Sequence, residues 1–324
     1  MGTACPSCLP LWGVMIYKDI VDAIGHTPLV EVAKLSPKPS VHIYVKLEGH
    51  NPTGSLKDRI AKYMIEKAER EGHLPGKTIL EPTSGNTGIS LAMIARRRGY
   101  QITVVMPENV SSERAELLKL FGADIIYSPG EKGTNGAIAM ATEIVKGSDK
   151  YFMPYQYGNE ANPRAHYETT GAEIIQDLPQ VDTFVAGLGT GGTLMGVGRR
   201  LKEYNSKVKV MAVVPHPGDQ IMGLRSLEEG FIPPILDISL LDGRVVVDSR
   251  DAFRLTRELA EKEGIFAGIS SGAVLYCAQT LAQRREKGHI VALLADGGWK
   301  YLSSRLWTRS FDEMEKEVQS QIWW

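Results

Sequence analysis

Lys57 sits in NPTGSLKDR, residues 51–59, in a place that is odd for a lysine. The stretch predicts a helix start. Ser55 is an N-capping type, and Asp58 three residues later completes the spacing of a capping box. A cation in that first turn faces the positive end of the helix dipole, which is mildly unfavourable. Chemistry offers a reason to keep it. The same positive end helps lower the lysine pKa, and a neutral amine forms a Schiff base with a carbonyl compound and works as nucleophile and base. A lysine on an amphipathic helix is more often a plain surface residue, so Lys57 needs companions before it carries weight.

Three loops offer them. EPTSGNTG, residues 81–88, follows an apolar strand-like run and opens a helical one. Thr83, Ser84, Asn86 and Thr87 are more hydroxyls and amides than a single helix cap needs, and open backbone N–H groups at a helix start bind anions. GLGTGGT, residues 187–193, satisfies GxGxxG through Gly187, Gly189 and Gly192. A dinucleotide site also wants an acidic residue about 20 positions on, at the end of the next strand. That strand ends AVVPHPG, without one. A phosphate cradle from Gly189, Thr190, Gly191, Gly192 and Thr193 passes where the dinucleotide fails. GISSGA, residues 268–273, opens another helix, which Ser270 or Ser271 could simply cap.

The elements that must hold these loops alternate. Strand-like runs stand at 78–82, 102–106, 124–128, 183–188, 208–214 and 289–295. Helical patterns stand at 56–71, 87–98, 111–121, 134–146, 163–176, 192–204, 250–263 and 271–286. Alternation of nearly all-apolar strands with helices implies parallel sheets covered on both faces. Ligands of such sheets sit beyond the carboxyl ends of the strands, where all three loops lie. The periodicity breaks at YQYGNEANP, residues 155–163, so two α/β lobes meeting at a cleft are expected.

Composition excludes other classes. The 324 residues carry 37 basic and 38 acidic side chains, net charge −1, with no basic face or acidic tail. Neither nucleic acid nor an anionic membrane is an expected partner. No apolar run nears the ~20 residues of a membrane span. The three cysteines make no disulfide framework. Cys5 and Cys8 form a lone CxxC in a leader, residues 1–14, that is expected to be unstructured, and no metal is expected there. Cys277 reads as a packing residue. A cytoplasmic location is the expectation.

Taken together, IGHTPLV, KLEGHNPTGSLKDR, EPTSGNTGISLA, MPENVSSER, YQYGNEAN, GLGTGGTLMG, GISSGA and the late Asp296 resemble the cysteine synthase family of pyridoxal-phosphate (PLP) enzymes. The resemblance covers the chain from about Ile16 onward. It implies fold type II, like the tryptophan synthase β chain, with two α/β lobes of mostly parallel twisted sheets flanked by helices. The implied division is a smaller domain over 50–158 and a larger one from 15–49 plus 159–324. Carried over by position, Lys57 forms the Schiff base and Asn86 meets the cofactor's O3′. Gly189, Thr190, Gly191, Gly192 and Thr193 hold its phosphate, and Ser270 meets its pyridine nitrogen. Thr83, Ser84, Thr87 and Gln156 take the substrate carboxylate. A serine, unlike an aspartate, does not keep the pyridine nitrogen protonated. The weaker electron sink suits β-elimination to an aminoacrylate, followed by sulfur addition. Homodimers are usual in the family.

Within the family, LRSLEEGF, YQYGN, ADGGWKYL and the ending QIWW resemble the O-phosphoserine sulfhydrylase branch. That likeness gives Arg225 the substrate phosphate, since a guanidinium fork suits a dianion. It also implies a thiocarboxylated sulfur-carrier protein as donor, and a C-terminal tail, 310–324 with Trp323 and Trp324, folding over the cleft. The competing readings are an O-acetylserine sulfhydrylase using free sulfide, a cystathionine-forming enzyme, a nicotinamide dehydrogenase, and a silent binding protein that docks an acyltransferase tail.

Overall fold

The structure, a computed structural model, describes residues 16–83, 85–219, 221–305, 307–309 and 311. Ser84, Cys5, Cys8 and the tail with Trp323 and Trp324 lie outside the described residues. The strands, in chain order, are β1 Leu29–Glu31, β2 Val41–Leu47, β3 Thr78–Pro82, β4 Ile102–Pro107, β5 Asp124–Ser128 and β6 Tyr151–Phe152. They continue with β7 Thr183–Gly187, β8 Lys209–Pro215, β9 Gly243–Val247 and β10 Gly288–Leu294. The helices are α1 Lys57–Arg70, α2 Asn86–Arg98, α3 Ser112–Leu120, α4 Gly133–Lys146, α5 Ala161–Ala165, α6 Gly171–Asp177, α7 Gly192–Tyr204, α8 Ser249–Glu263 and α9 Ile269–Gln283.

Two sheets result. One has the order β5-β4-β3-β6 and the other β1-β2-β10-β7-β8-β9. Every pairing is parallel except β1 with β2. β3 and β4 are buried almost throughout because α1 and α2 cover one face and α4 the other. The larger sheet is sandwiched the same way, with α8 and α9 on one side and α6 and α7 on the other. β1, β2, β6 and β9 fall outside the six apolar runs of the sequence. They are short, at sheet edges, or carry polar side chains such as His42, Tyr44 and Lys46, so their apolar signal is diluted.

Strand order decides where a ligand sits. In the smaller sheet the chain steps from β3 outward to β4 and β5, then returns to the far side of β3 as β6. In the larger sheet it steps from β7 to β8 and β9, then returns beside β7 as β10. Each reversal opens a crevice at the carboxyl ends of the strands. The crevices carry loop 83–87 and segment 153–157 in one case, and loop 187–193 and segment 295–300 in the other.

Two expectations need correction. The helix predicted over 163–176 is broken into α5, a π-helical turn His166–Thr170, and α6. Close packing accompanies the break. A Cβ on Gly196 of α7 would lie 2.1 Å from the Pro163 carbonyl, and one on Gly171 would lie 2.8 Å from Arg200. The capping box also fails. Ser55 Oγ accepts the Lys57 backbone N–H at 3.3 Å. Asp58 does not reach back to Ser55, because its carboxylate accepts the backbone N–H and hydroxyl of Thr53 instead.

Candidate active site

Segment 54–56 lies antiparallel to segment 295–297. Ser55 bridges Asp296, Leu56 N–H donates to the Ala295 carbonyl at 2.9 Å, and Gly297 N–H donates to the Gly54 carbonyl at 3.1 Å. This pairing hands α1 its start and aims Lys57 into a cavity of about 420 Å³ between the two sheets. Three successive side chains are then anchored differently. Lys57 lines the cavity. Asp58 turns to Thr53. Arg59, 1% exposed, is locked between Glu48 and Glu173.

Burial is the chief reason the Lys57 ammonium is pushed down to about 8. The positive charge of Lys300 acts in the same direction and the Asp296 carboxylate opposes it. The sequence pointed to a helix end as the cause, and desolvation in the cavity takes its place. The side chain keeps the neutral form within reach that a Schiff-base lysine needs.

The other expected residues converge on the same cavity. Thr83, Asn86, Thr87 and Gln156 line it from the smaller sheet, and Thr87 Oγ1 donates to Gln156 Oε1 at 2.7 Å. Gly189, Thr190, Gly191 and Thr193 line it from the larger sheet. Ser270 lines it as well. Neither Ser270 nor Ser271 caps α9, whose N-cap is Gly268. Ser270 opens on the cavity, while Ser271 is fully buried. Arg225 lines the far wall, 9% exposed. Cys277 is buried in the core, where burial pushes its thiol up to about 12, in keeping with a packing role.

Loop 187–193 forms a cup that only glycine permits. A Cβ on Gly189 would meet the Gly223 carbonyl at 2.7 Å. Gly191 has a φ of +88°, and a Cβ on Gly192 would lie 1.8 Å from Asn162 Oδ1. The cup leads into the start of the 13-residue α7, whose first N–H, that of Gly192, donates to Thr190 Oγ1 at 3.4 Å, and a helix start of this kind favours an anion. Asn162 Nδ2 donates to Thr190 Oγ1 at 3.0 Å, and His166 Nε2 pairs with Thr193 Oγ1 at 3.2 Å. Burial pushes the His166 imidazolium down to about 3, so the ring is neutral. His166 opens the π-helical turn. Cup, lysine and serine suit a phosphorylated pyridine aldehyde.

Tertiary structure brings in several residues to which local pattern assigns no role. Glu81, fully buried, accepts the backbone N–H groups of Tyr155 at 2.8 Å and Gln156 at 3.0 Å. Asp296 accepts from Asn86 Nδ2 at 2.7 Å and from the Tyr301 hydroxyl. Lys300, 6% exposed, donates to Asn86 Oδ1 at 2.7 Å. Asp296 is among the marks of the family resemblance and Lys300 lies in the ADGGWKYL stretch, but what they do depends on how 295–300 folds back on 54–56 and on Asn86.

Comparison with known proteins agrees with this geometry. The family described as pyridoxal-phosphate dependent enzyme matches residues 20–296. A cysteine synthase of Staphylococcus aureus is 44% identical over 306 residues, 91% of this chain and 98% of that protein. The cysteine synthase structure from Entamoeba histolytica superposes with a TM-score of 0.84 at 33% identity, covering 99% of each chain. An O-acetylserine dependent cystathionine β-synthase from Helicobacter pylori gives a TM-score of 0.83 at 36% identity, covering 89% of this chain and 98% of that one. The chain is thus a pyridoxal-phosphate-dependent enzyme belonging to the cysteine synthase family.

Proposed function

We propose that the protein makes cysteine from O-phospho-L-serine by β-elimination of phosphate and β-addition of sulfur, with a thiocarboxylated carrier protein as the sulfur donor. Bound PLP supplies the electron sink for loss of the Cα proton. The residues of the chain divide the remaining work. Lys57 is the base at Cα and the attachment point of the cofactor. Thr83, Ser84, Thr87 and Gln156 hold the substrate carboxylate, and Asn86 and Ser270 orient the cofactor ring over the Gly189–Thr193 cup.

Arg225 carries the choice of leaving group. Its guanidinium is nearly buried and makes no ion pair among the described residues. It donates to Asn135 Oδ1 at 3.0 Å and lies 4.7 Å from the Phe231 ring and 5.6 Å from the Tyr157 ring. A desolvated cation without an acid is costly, and a substrate dianion would compensate it. A solvated loop arginine would show neither that burial nor that aromatic seat.

Arg225→Ala tests this. Loss of a charge-assisted contact worth about 1.5–3 kcal/mol should lower kcat/KM for O-phosphoserine roughly 10- to 150-fold. O-Acetylserine turnover should change little. Equal losses on both substrates would refute phosphate recognition by Arg225. The alternative, O-acetylserine with free sulfide, draws on the H. pylori neighbour, which is described as O-acetylserine dependent. Rates with sulfide and with a thiocarboxylated carrier, measured side by side, decide the donor.

A further inference from the structure

The geometry points to Lys300 as a positioning residue that holds the Asn86 side-chain amide in one orientation and sets a second positive charge beside Lys57. This rests on the reading of Lys57 as the cofactor lysine and Asn86 as a cofactor contact. An asparagine amide can flip, and its two ends differ only in the partners they accept. Here the partners leave no freedom. A lysine ammonium only donates, so it must face Oδ1, and it does so at 2.7 Å. A carboxylate only accepts, so Asp296 must face Nδ2, also at 2.7 Å. One N–H of the amide is thereby committed to Asp296 and the other is left to donate. Asp296 is itself held by the Tyr301 hydroxyl. Asp296 alone already favours this orientation, and Lys300 reinforces it, because a flipped amide would set a donor against the ammonium as well as an acceptor against the carboxylate.

Lys300 also packs along the segment that delivers Lys57. A Cβ on Gly54, three residues before Lys57, would lie 3.6 Å from Lys300 Cε and 3.9 Å from Nζ. The two ammonium groups repel, and Lys300 is one of the groups pulling Lys57 down. Burial pushes Lys300 itself down to about 8, with Arg114 in the same direction and Asp296 and Asp58 against it.

Four variants test the assignment with readouts besides turnover. Lys300→Met should weaken PLP binding about ten-fold, the worth of one charge-assisted hydrogen bond. It should also raise the pH midpoint of covalent PLP capture by the apoprotein. Lys300→Arg, another obligate donor and cation, should restore both. Lys300→Gln keeps a donor without the charge, so it should recover part of the affinity and still raise the midpoint. Native affinity and midpoint in the Met and Gln variants would overturn the inference, as would equal losses in the Met and Arg variants. If the Met variant unfolds, the Arg and Gln midpoints decide. Lys57→Ala separates the two readings. Cofactor still fixed to that variant by borohydride would sink the Lys57 assignment, whereas silence of the Lys300 variants alone sinks only this inference.

Discussion

Glu81 holds Gln156 in the cavity wall through its backbone, accepting the Gln156 N–H on one carboxylate oxygen while the other takes the N–H of Tyr155. Tyr155 has a φ of +57°, a conformation that a tyrosine keeps only under such constraint. Burial raises the Glu81 carboxyl to about 7, against the two backbone donors that favour its ionised form. As pH falls through about 7, the carboxyl gains a proton and gives up one acceptor. KM for O-acetylserine should therefore rise several-fold between pH 8 and pH 6. Glu81→Gln should show the raised KM already at pH 8, with a flatter profile. Stability moves the opposite way. A carboxyl whose folded pKa is raised stabilises fully below its unfolded value and loses that contribution as pH rises through about 7. Denaturant midpoints of native protein and Glu81→Gln, compared at pH 5 and pH 8, check the sign.

On the proposed role of Lys57 as the cofactor lysine, its amine must be neutral to capture PLP. With its ammonium pushed down to about 8, the rate at which apoprotein takes up PLP covalently should climb as pH rises and level off above about 8. A lysine near its ordinary value of 10.5 would still be climbing at pH 10. Stopped-flow absorbance across pH 6–10 distinguishes the two.

Gly189→Ala should empty the cup without unfolding the chain. The added methyl meets the Gly223 carbonyl, a backbone atom that cannot swing aside as a side chain would. Overpacking of this kind costs about 1–3 kcal/mol, here taken mostly from the cofactor's phosphate. PLP affinity should fall at least several-fold, while the melting temperature of the apoprotein changes little. Unchanged affinity would show that the cup tolerates a side chain.

Arg59→Ala should be severely destabilising. Arg59 satisfies Glu48 and Glu173 together, and its removal leaves buried carboxylates facing each other. Losing one partner of a buried ion network costs about 3–5 kcal/mol. A urea midpoint close to that of native protein would contradict this.

Local pattern alone places the six apolar strands, seven of the eight helices to within a few residues, and the three loops with Lys57, because period and turn chemistry are properties of adjacent residues. The glycine-rich loop of 187–193 is legible for the same reason, and the structure places it on the cavity. Long-range pairing is not written locally. The capping box at Ser55 looks complete until Thr53 competes for Asp58. The helix over 163–176 looks continuous until α7 packs against it, with His166 opening a π turn and pairing with Thr193. Either serine of GISSGA fits a cap until the fold shows Ser270 lining the cavity. The low pKa of Lys57 depends on burial and on Lys300, 243 positions away in the chain, so only tertiary structure assembles the charge that surrounds it.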